Sequence, residues 1–264
     1  MRKFYNRLYF WMSLLGFNPS RTIKSMLNLP SFFVQLMQLK KQGATSAHFW
    51  PMGKITPFFD DKSSQSGNIG GYYFNQDLLV ANKIFKQNPQ KHVDVGSRID
   101  GFVAHVASFR TIEVFDIRPL QCDTHSIKFV QADLMQVDDK FNNYCDSLSC
   151  LHALEHFGLG RYGDPISYEG YIKGFKNLYT FLKPDGKFYF SVPIGPQRIE
   201  FNAHRVFSIR HLLFLFKDKF TIDDFSYVDD SGQLHKNVPL RKQEMDNNFN
   251  CTYGCGIFEL SKCS

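Results

Sequence analysis

The stretch Val93-Asp94-Val95-Gly96-Ser97-Arg98-Ile99-Asp100-Gly101 carries an apolar strand into a turn of small residues and then into an apolar helical pattern. A glycine closing a strand lets the backbone approach a ligand, and a helix that follows offers unpaired N–H groups at its start. Nucleotide-like cofactors sit at such places. One glycine pair is weak evidence, and its weight comes from what recurs downstream. Asp116 follows Ile112-Glu113-Val114-Phe115, Asp133 follows Ile127-Lys128-Phe129-Val130, and Cys145-Asp146-Ser147-Leu148-Ser149-Cys150 lies beyond. Four strand-like runs, each closing near a polar residue, imply one crevice.

The chain has 264 residues, 43% hydrophobic and 21% charged, enough for one large α/β domain with additions and too apolar for wholesale disorder. Its 28 phenylalanines mainly fill a core. A formal net charge of +6 without a clustered basic stripe is not a nucleic-acid signature, although it permits acidic or phosphorylated partners. The cysteines at 122, 145, 150, 251, 255 and 263 form no CxxC pair, which fits a reduced, cytoplasmic protein. No Cys/His knuckle accompanies Cys251, Cys255 and Cys263, so no metal is expected there.

At the start, Met1-Arg2-Lys3 and Arg7 precede an apolar, aromatic run from Leu8 to Phe17 that is too short to span a bilayer. Only Asn18-Pro19-Ser20-Arg21 follows, which is no signal-peptide cleavage site. Residues 1–17 suit either a helix docked on the main domain or a basic aromatic helix in peripheral contact with an anionic membrane. The helical pattern continues to about Lys41 with a break expected at Asn28 to Pro30, and Gly43 to Gly71 loses periodicity, ending in Gly67-Asn68-Ile69-Gly70-Gly71. The expected organisation is an N-terminal helical and irregular extension over 1–75 and a main domain over 76–264.

Within the main domain a helix over Gln76 to Phe85 leads into the glycine turn, and strands are expected near His92 to Val95, Thr111 to Phe115, Ile127 to Val130, Ser147 to Leu151 and Lys187 to Val192. Helices between them argue for a doubly wound α/β sheet of the Rossmann-like kind, mostly parallel. Tyr168 to Leu182 reads as an amphipathic helix closed by the turn Lys183-Pro184-Asp185-Gly186. Another apolar helix is expected around Ser208 to Phe216. Strand candidates at Phe220 to Val228 and Tyr253 to Leu260 would then form an antiparallel C-terminal edge hairpin, joined by the polar connection Asp229 to Asn250.

From about Gln76 to Lys262 the pattern resembles the class I S-adenosylmethionine-dependent methyltransferases, and more narrowly a branch of them described only as a domain of unknown function. The family's first-strand turn, an acid followed by spaced glycines that hold the methionine part of the cofactor, is matched by Asp94-Val95-Gly96 with Ser97. Arg98 stands where the second family glycine is expected and Asp100 where the third is, with Gly101 shifted by one. The resemblance gives Asp116, with Ile117 beside it, the ribose hydroxyls, and it gives Asp133-Leu134 the adenine. Leu151 to His156 looks like the family's apolar-x-x-Glu-His segment after the fourth strand. The chemistry agrees, since a carboxylate can accept from both hydroxyls of a diol and a second can accept from an amino group. Arg98 could pair with Asp100 or Asp116, contact the methionine carboxylate, or block the cofactor.

His152-Ala153-Leu154-Glu155-His156 also spells the inverted zinc-peptidase motif, but that motif needs a long helix, and Gly158, Gly160 and Gly163 follow at once. A metal-free reading makes Glu155, His156, Arg161, Tyr162 and Asp164 a polar wall, with His156 the first choice for a base and Glu155 beside it. Arg161, Tyr162 and Asp164 would orient substrate, or else merely knit a glycine-rich loop. A second wall, Gly195 to Arg205, follows the fifth strand, and there Glu200, His204 and Arg205 could bind an acceptor. Tyr73, with Tyr72, Gln76 and Asp77, could close over the cofactor.

The resemblance thus implies S-adenosylmethionine as cofactor and methyl transfer to oxygen or nitrogen of a small-molecule or sugar-containing (glycan-type) acceptor, with no nucleic acid and no metal. The alternative is a non-catalytic module of the same fold on a membrane surface or a protein partner. A nicotinamide dehydrogenase also ends its second strand with an acid, but Glu155-His156 and the closing hairpin argue against it.

Overall fold

A computed structural model describes residues 9–48, 50–59, 71–121, 124–136 and 139–263. The basic start Met1 to Arg7, the tract Gly67 to Gly70 and Cys122 lie outside the described residues. The chain divides into two compact units, Met1–Asn68 and Ile69–Ser264.

In the first unit a short helix over 9–14 precedes α1 (Pro19–Thr45). The Asn18 side chain accepts from the Arg21 N–H at 3.0 Å, and Pro19 opens the helix where no N–H is needed. The break expected at Asn28 to Pro30 is absent, because α1 runs through Pro30. Proline forfeits one backbone hydrogen bond there, and on an exposed helix the carbonyl left over can face solvent.

The second unit begins with α2 (Tyr72–Gln87), which starts before the expected Gln76 and ends on Asn88 in the left-handed conformation. After it come β1 (His92–Val95), β2 (Ile112–Asp116), β3 (Ile127–Gln131), β4 (Cys145–Leu151) and β5 (Leu182–Ile194). The hairpin β6 (Arg198–Glu200) and β7 (His204–Val206) follows, and then β8 (Phe220–Val228), β9 (Leu234–His235) and β10 (Gly254–Lys262). The main sheet has the order β3-β2-β1-β4-β5-β10-β8-β9. Its first five strands are parallel, and β10 runs antiparallel to both β5 and β8. The fold is therefore the expected Rossmann-like α/β architecture with an antiparallel C-terminal edge.

The expected pattern is not met everywhere: among the described residues no α-helix stands between β2 and β3, and only one short helical turn, Asp139–Phe141, stands between β3 and β4. The apolar stretch after the glycine turn is not one regular helix but a single wide turn, Ile99–Val103, bent at Gly101, and then α3 (Ala104–Ala107). The segment Lys183 to Gly186 lies inside the span of β5, with Asp185 at φ 60 and a register shift against β4, so it acts as a bulge in the strand.

Both sheet faces are covered, which is why the central strands are almost continuously buried. On one face α4 (Gly170–Phe181) and α5 (Ile209–Phe216) bring Phe175, Leu178, Phe181, Leu212 and Phe216 onto Phe188, Phe190 and Phe115. On the other, Val80 and Ile84 of α2 join Phe102, Val103 and Val106 against Val114, Tyr189 and Ile257. Successive residues Val114 and Phe115 serve opposite faces, as the two-residue period of a strand requires. Lys83 of α2 ties the helix to the antiparallel edge, 2.8 Å from Asp224 and 2.6 Å from Glu259.

The Phe181 ring lies edge-on to Phe115 at 5.2 Å and stacks on Phe141 at 5.3 Å, with no exposure to solvent. Phe181→Ala is expected to lower unfolding free energy by about 3–5 kcal/mol, as measured by urea titration, because the hole is lined by aromatic rings that cannot collapse into it.

Candidate active-site crevice

The crevice opens at the carboxyl ends of β1, β2, β3 and β4, where β1 is flanked by β2 on one side and β4 on the other. Its floor is built by Asp94. That carboxylate is fully buried and accepts from the Ser97 N–H at 3.1 Å, the Ser97 hydroxyl at 2.9 Å and the Ser149 hydroxyl of β4. Behind it the His92 ring lies 2.8 Å from Ser147 Oγ and 3.2 Å from Ser149 Oγ. A buried polar chain therefore runs from β4 into the glycine turn. Burial pushes the Asp94 carboxyl up to about 7 against its three donors, and burial drives His92 down to about 3, so the imidazole is neutral.

Gly96 has φ +75, and a Cβ on it would stand 2.7 Å from the Cβ of Ala153. Only glycine lets the turn lie this close to the segment after β4 in that conformation. One lobe of the crevice lies between this turn, Asp116 and Ile117, Asp133 and Leu134, and the segment after β4. A second lobe shares Gly96, His152, His156 and Tyr162 with the first and reaches Tyr73, Asp77, Ser97, Arg98, Gly101, Leu151 and Arg161. The structure thus brings the residues expected from the glycine turn, from the strand ends and from the first polar wall to one place.

Arg98 takes the first of the partners expected for it, a bidentate pair with Asp100 at 3.0 and 2.7 Å, and both side chains are largely exposed. Asp116 is instead held by Arg118, whose guanidinium donates to its two oxygens at 3.0 and 2.6 Å and lies 4.5 Å from the centre of the Tyr162 ring. Asp133 accepts from the Met135 N–H at 2.9 Å through Oδ1, so Oδ2 keeps its acceptor capacity. Asp164 holds the glycine-rich loop. Its carboxylate accepts the N–H groups of Gly158, Gly160 and Tyr162 and shapes the loop around them.

The second wall is likewise split. Arg205 is buried, and its guanidinium donates to the carbonyls of Glu155, Phe157, Ser167 and Tyr168, which makes it a clamp for the loop and not an acceptor ligand. Glu200 pairs with Arg198 at 2.9 Å and with His204 at 3.3 Å on the β6–β7 hairpin, and neither Glu200 nor His204 lines the two lobes. What the hairpin does offer is the carbonyl of Ala203. His156 Nδ1 lies 2.7 Å from it and Arg161 donates to it at 3.0 Å.

That contact fixes the chemistry of His156. With Nδ1 donating to a carbonyl, Nε2 carries the lone pair, and burial keeps the pKa below the ordinary histidine value although Glu155 works the other way. Glu155 is buried, its Oε1 lying 2.9 Å from His152 Nδ1 and 3.8 Å from His156 Nε2. Burial opposes charge on this pair, yet Cys255 and Glu155 together hold His152 well above the ordinary value, and His152 holds Glu155 below its own. His152 has φ +52 and stacks on Tyr72 at 4.9 Å, while its Nε2 finds no hydrogen-bond partner in the protein. The spacing of His152 and Glu155 in the zinc-like motif was the sequence signal for this pair. Among the described residues no group of three His, Cys, Asp or Glu side chains could hold a metal.

Arg118 and Ala203 are the participants that sequence reasoning passes over. The arginine follows an acid by two residues, as countless surface arginines do, and a backbone carbonyl carries no signal at all.

The chain matches, over residues 105–253, the model of a family described as Caenorhabditis protein of unknown function, DUF268. No curated protein matches it. Among solved structures it is similar to the [4+2]-cyclase SpnF, at 14% identity and TM-score 0.52 over 72% of this chain and 81% of that one. It is also similar to the N-methyltransferase NodS of Bradyrhizobium japonicum WM9, solved with S-adenosyl-L-homocysteine, at 10% identity and TM-score 0.50 over 86% and 98%. These likenesses show the fold, that of the class I S-adenosylmethionine-dependent methyltransferases, and one of the two neighbours is described by a different reaction.

Asp94 supplies a test of the floor. Its raised pKa means that the folded state binds a proton more tightly than the unfolded chain. The stability this contributes is complete below about pH 4 and is lost as pH rises to about 7. Asp94→Asn cannot ionise, so its urea midpoint relative to the unaltered protein should rise between about pH 4 and about pH 8. A constant difference would show that Asp94 titrates as it does in the unfolded chain.

Proposed function

The chain belongs to the Caenorhabditis DUF268 family, and from its crevice we propose that it is an S-adenosylmethionine-dependent methyltransferase acting at oxygen or nitrogen of a small-molecule or sugar-containing acceptor. The observation that carries this reading is the convergence of a glycine-lined cradle, two strand-end carboxylates and a neutral histidine on one cleft. The residues suit the cofactor: the tight turn at Gly96 opens onto the cleft, Asp116 can meet its ribose, and Asp133 Oδ2 its amino group. When bound, the cofactor supplies an electrophilic methyl group on a sulfonium.

The acceptor's O–H or N–H must shed a proton as the new bond forms. His156 Nε2 is the base, held in the accepting tautomer by Ala203. Once protonated, the ring carries a charge 3.8 Å from the Glu155 carboxylate, which stabilises it. Glu155 therefore acts through His156 and His152 as a positioning residue. Tyr73 and Tyr162 give the second lobe apolar walls with polar tips, and Arg161 stands beside them, a lining that suits a polar, hydroxylated molecule.

A second reading rests on Arg118. Because it already occupies Asp116, ribose binding requires that arginine, about half exposed, to swing away. If it stays, the fold serves as a non-catalytic module.

Titration calorimetry with S-adenosylmethionine and S-adenosylhomocysteine separates the two. Binding is expected, weakened at least about tenfold by Asp116→Ala. No heat with either ligand from folded protein would establish the non-catalytic reading.

For catalysis, S-adenosylhomocysteine release can be followed against a panel of glycans and polar small molecules. His156→Gln should leave cofactor affinity within about twofold while slowing turnover by about 10²–10⁴-fold. Since the His156 pKa lies below the usual value, the rate should be flat above about pH 6.5 and fall only at more acid pH. A rate still climbing above about pH 7.5 would assign the base elsewhere.

A further inference from the structure

We propose that the first unit docks on an anionic membrane surface through one face of α1. The helix buries none of its 27 residues. Ile23, Met26, Leu27, Pro30, Phe33, Val34 and Met37 recur at the three- and four-residue spacing of a single helical stripe. Met26, Leu27 and Met37 are each at least 70% exposed. The opposite side has a partner of its own, since Phe32 packs edge-on against Phe59 at 5.8 Å and Asn28 donates to the Phe59 carbonyl at 3.4 Å. The stripe is thus the face that the described residues of this unit leave uncovered. The preceding short helix adds exposed Phe10, Trp11 and Leu14.

Charge decides what such a face meets. Residues 1–59 contain eight Lys or Arg and no Asp or Glu. They carry +8 of a formal net charge of +6, so the remainder of the chain is at −2. The whole positive excess of the protein therefore sits with its exposed apolar stripe. Lys24, Lys40 and Lys41 stand exposed on α1, and their long stems allow the ammonium groups to reach headgroups while the stripe enters the interface. Basic residues near an anionic leaflet and apolar side chains in the acyl boundary reinforce one another, whereas either alone binds weakly. Among the described residues no helix is long and apolar enough to cross the bilayer, so the contact lies along the surface.

The protein carries its own reporter, because its two tryptophans, Trp11 and Trp50, both lie in this unit and are exposed. The full chain is mixed with vesicles of phosphatidylcholine, with or without about one-third phosphatidylserine, and followed by tryptophan emission and flotation. Emission should shift to the blue, and the protein should float, with the anionic vesicles only. Raising salt from about 0.1 to 0.5 M should weaken binding severalfold. The combined change Met26→Glu, Phe33→Glu and Met37→Glu should cut partition at least about tenfold, while thermal unfolding of the second unit stays unchanged. Failure to float at low salt, or equal flotation of the triple variant, would overturn the proposal. So would concentration-dependent dimerisation that the triple variant abolishes, which would give the face to a second copy.

Discussion

One buried carboxylate organises this molecule's working end. Asp94 is removed from water at the last turn of β1, and a carboxyl group there must find donors or stay protonated. It finds them in the Ser97 N–H and hydroxyl and in Ser149, which in turn meets His92. The turn at Gly96 is thereby stitched to β4, and the two strands that frame the crevice are held at one spacing. The aromatic packing on the faces makes the sheet stable; this chain of hydrogen bonds makes its edge a site.

Around that floor the crevice is made of parts that fix one another. Asp164 collects three backbone N–H groups and Arg205 four carbonyls, so a loop rich in glycine keeps one shape beside His156. The same glycines that look like freedom in the sequence are places where the chain passes too near itself for a side chain. At Gly158 a Cβ would run into the Ser167 carbonyl, and at Gly174 into the Phe157 ring. Rigid support of this kind is what a proton-accepting histidine needs, because catalytic geometry tolerates little drift. It equally serves a fold put to another reaction, and the likeness to a cyclase shows that the architecture alone does not choose.

The two units divide the chain's chemistry. Ile69–Ser264 packs an aromatic-rich layer on one sheet face and a mostly aliphatic one on the other, and carries a nearly balanced charge. Met1–Asn68 holds the positive excess of the chain, and among its described residues an apolar stripe lies exposed. A methyltransferase held at a lipid surface by its first unit would meet acceptors presented there, which joins the two proposals without making either depend on the other.

Strand positions, the antiparallel close and the strand-end acids were all legible in the sequence, because each is written in a few neighbouring residues. Period-two apolar runs, a glycine after a strand and an aspartate in a turn act over short distances and survive whatever the rest of the chain does. The partners of the polar side chains were not legible. Arg118 took Asp116, Arg205 went to carbonyls 37 to 50 residues away, and the tautomer of His156 was set by Ala203, 47 residues on. Such choices depend on which loops meet after the sheet has formed, and a buried polar group takes the nearest donor or acceptor that folding delivers. Sequence alone determined where this protein has a crevice; tertiary structure decided which of its charged groups remain open inside it.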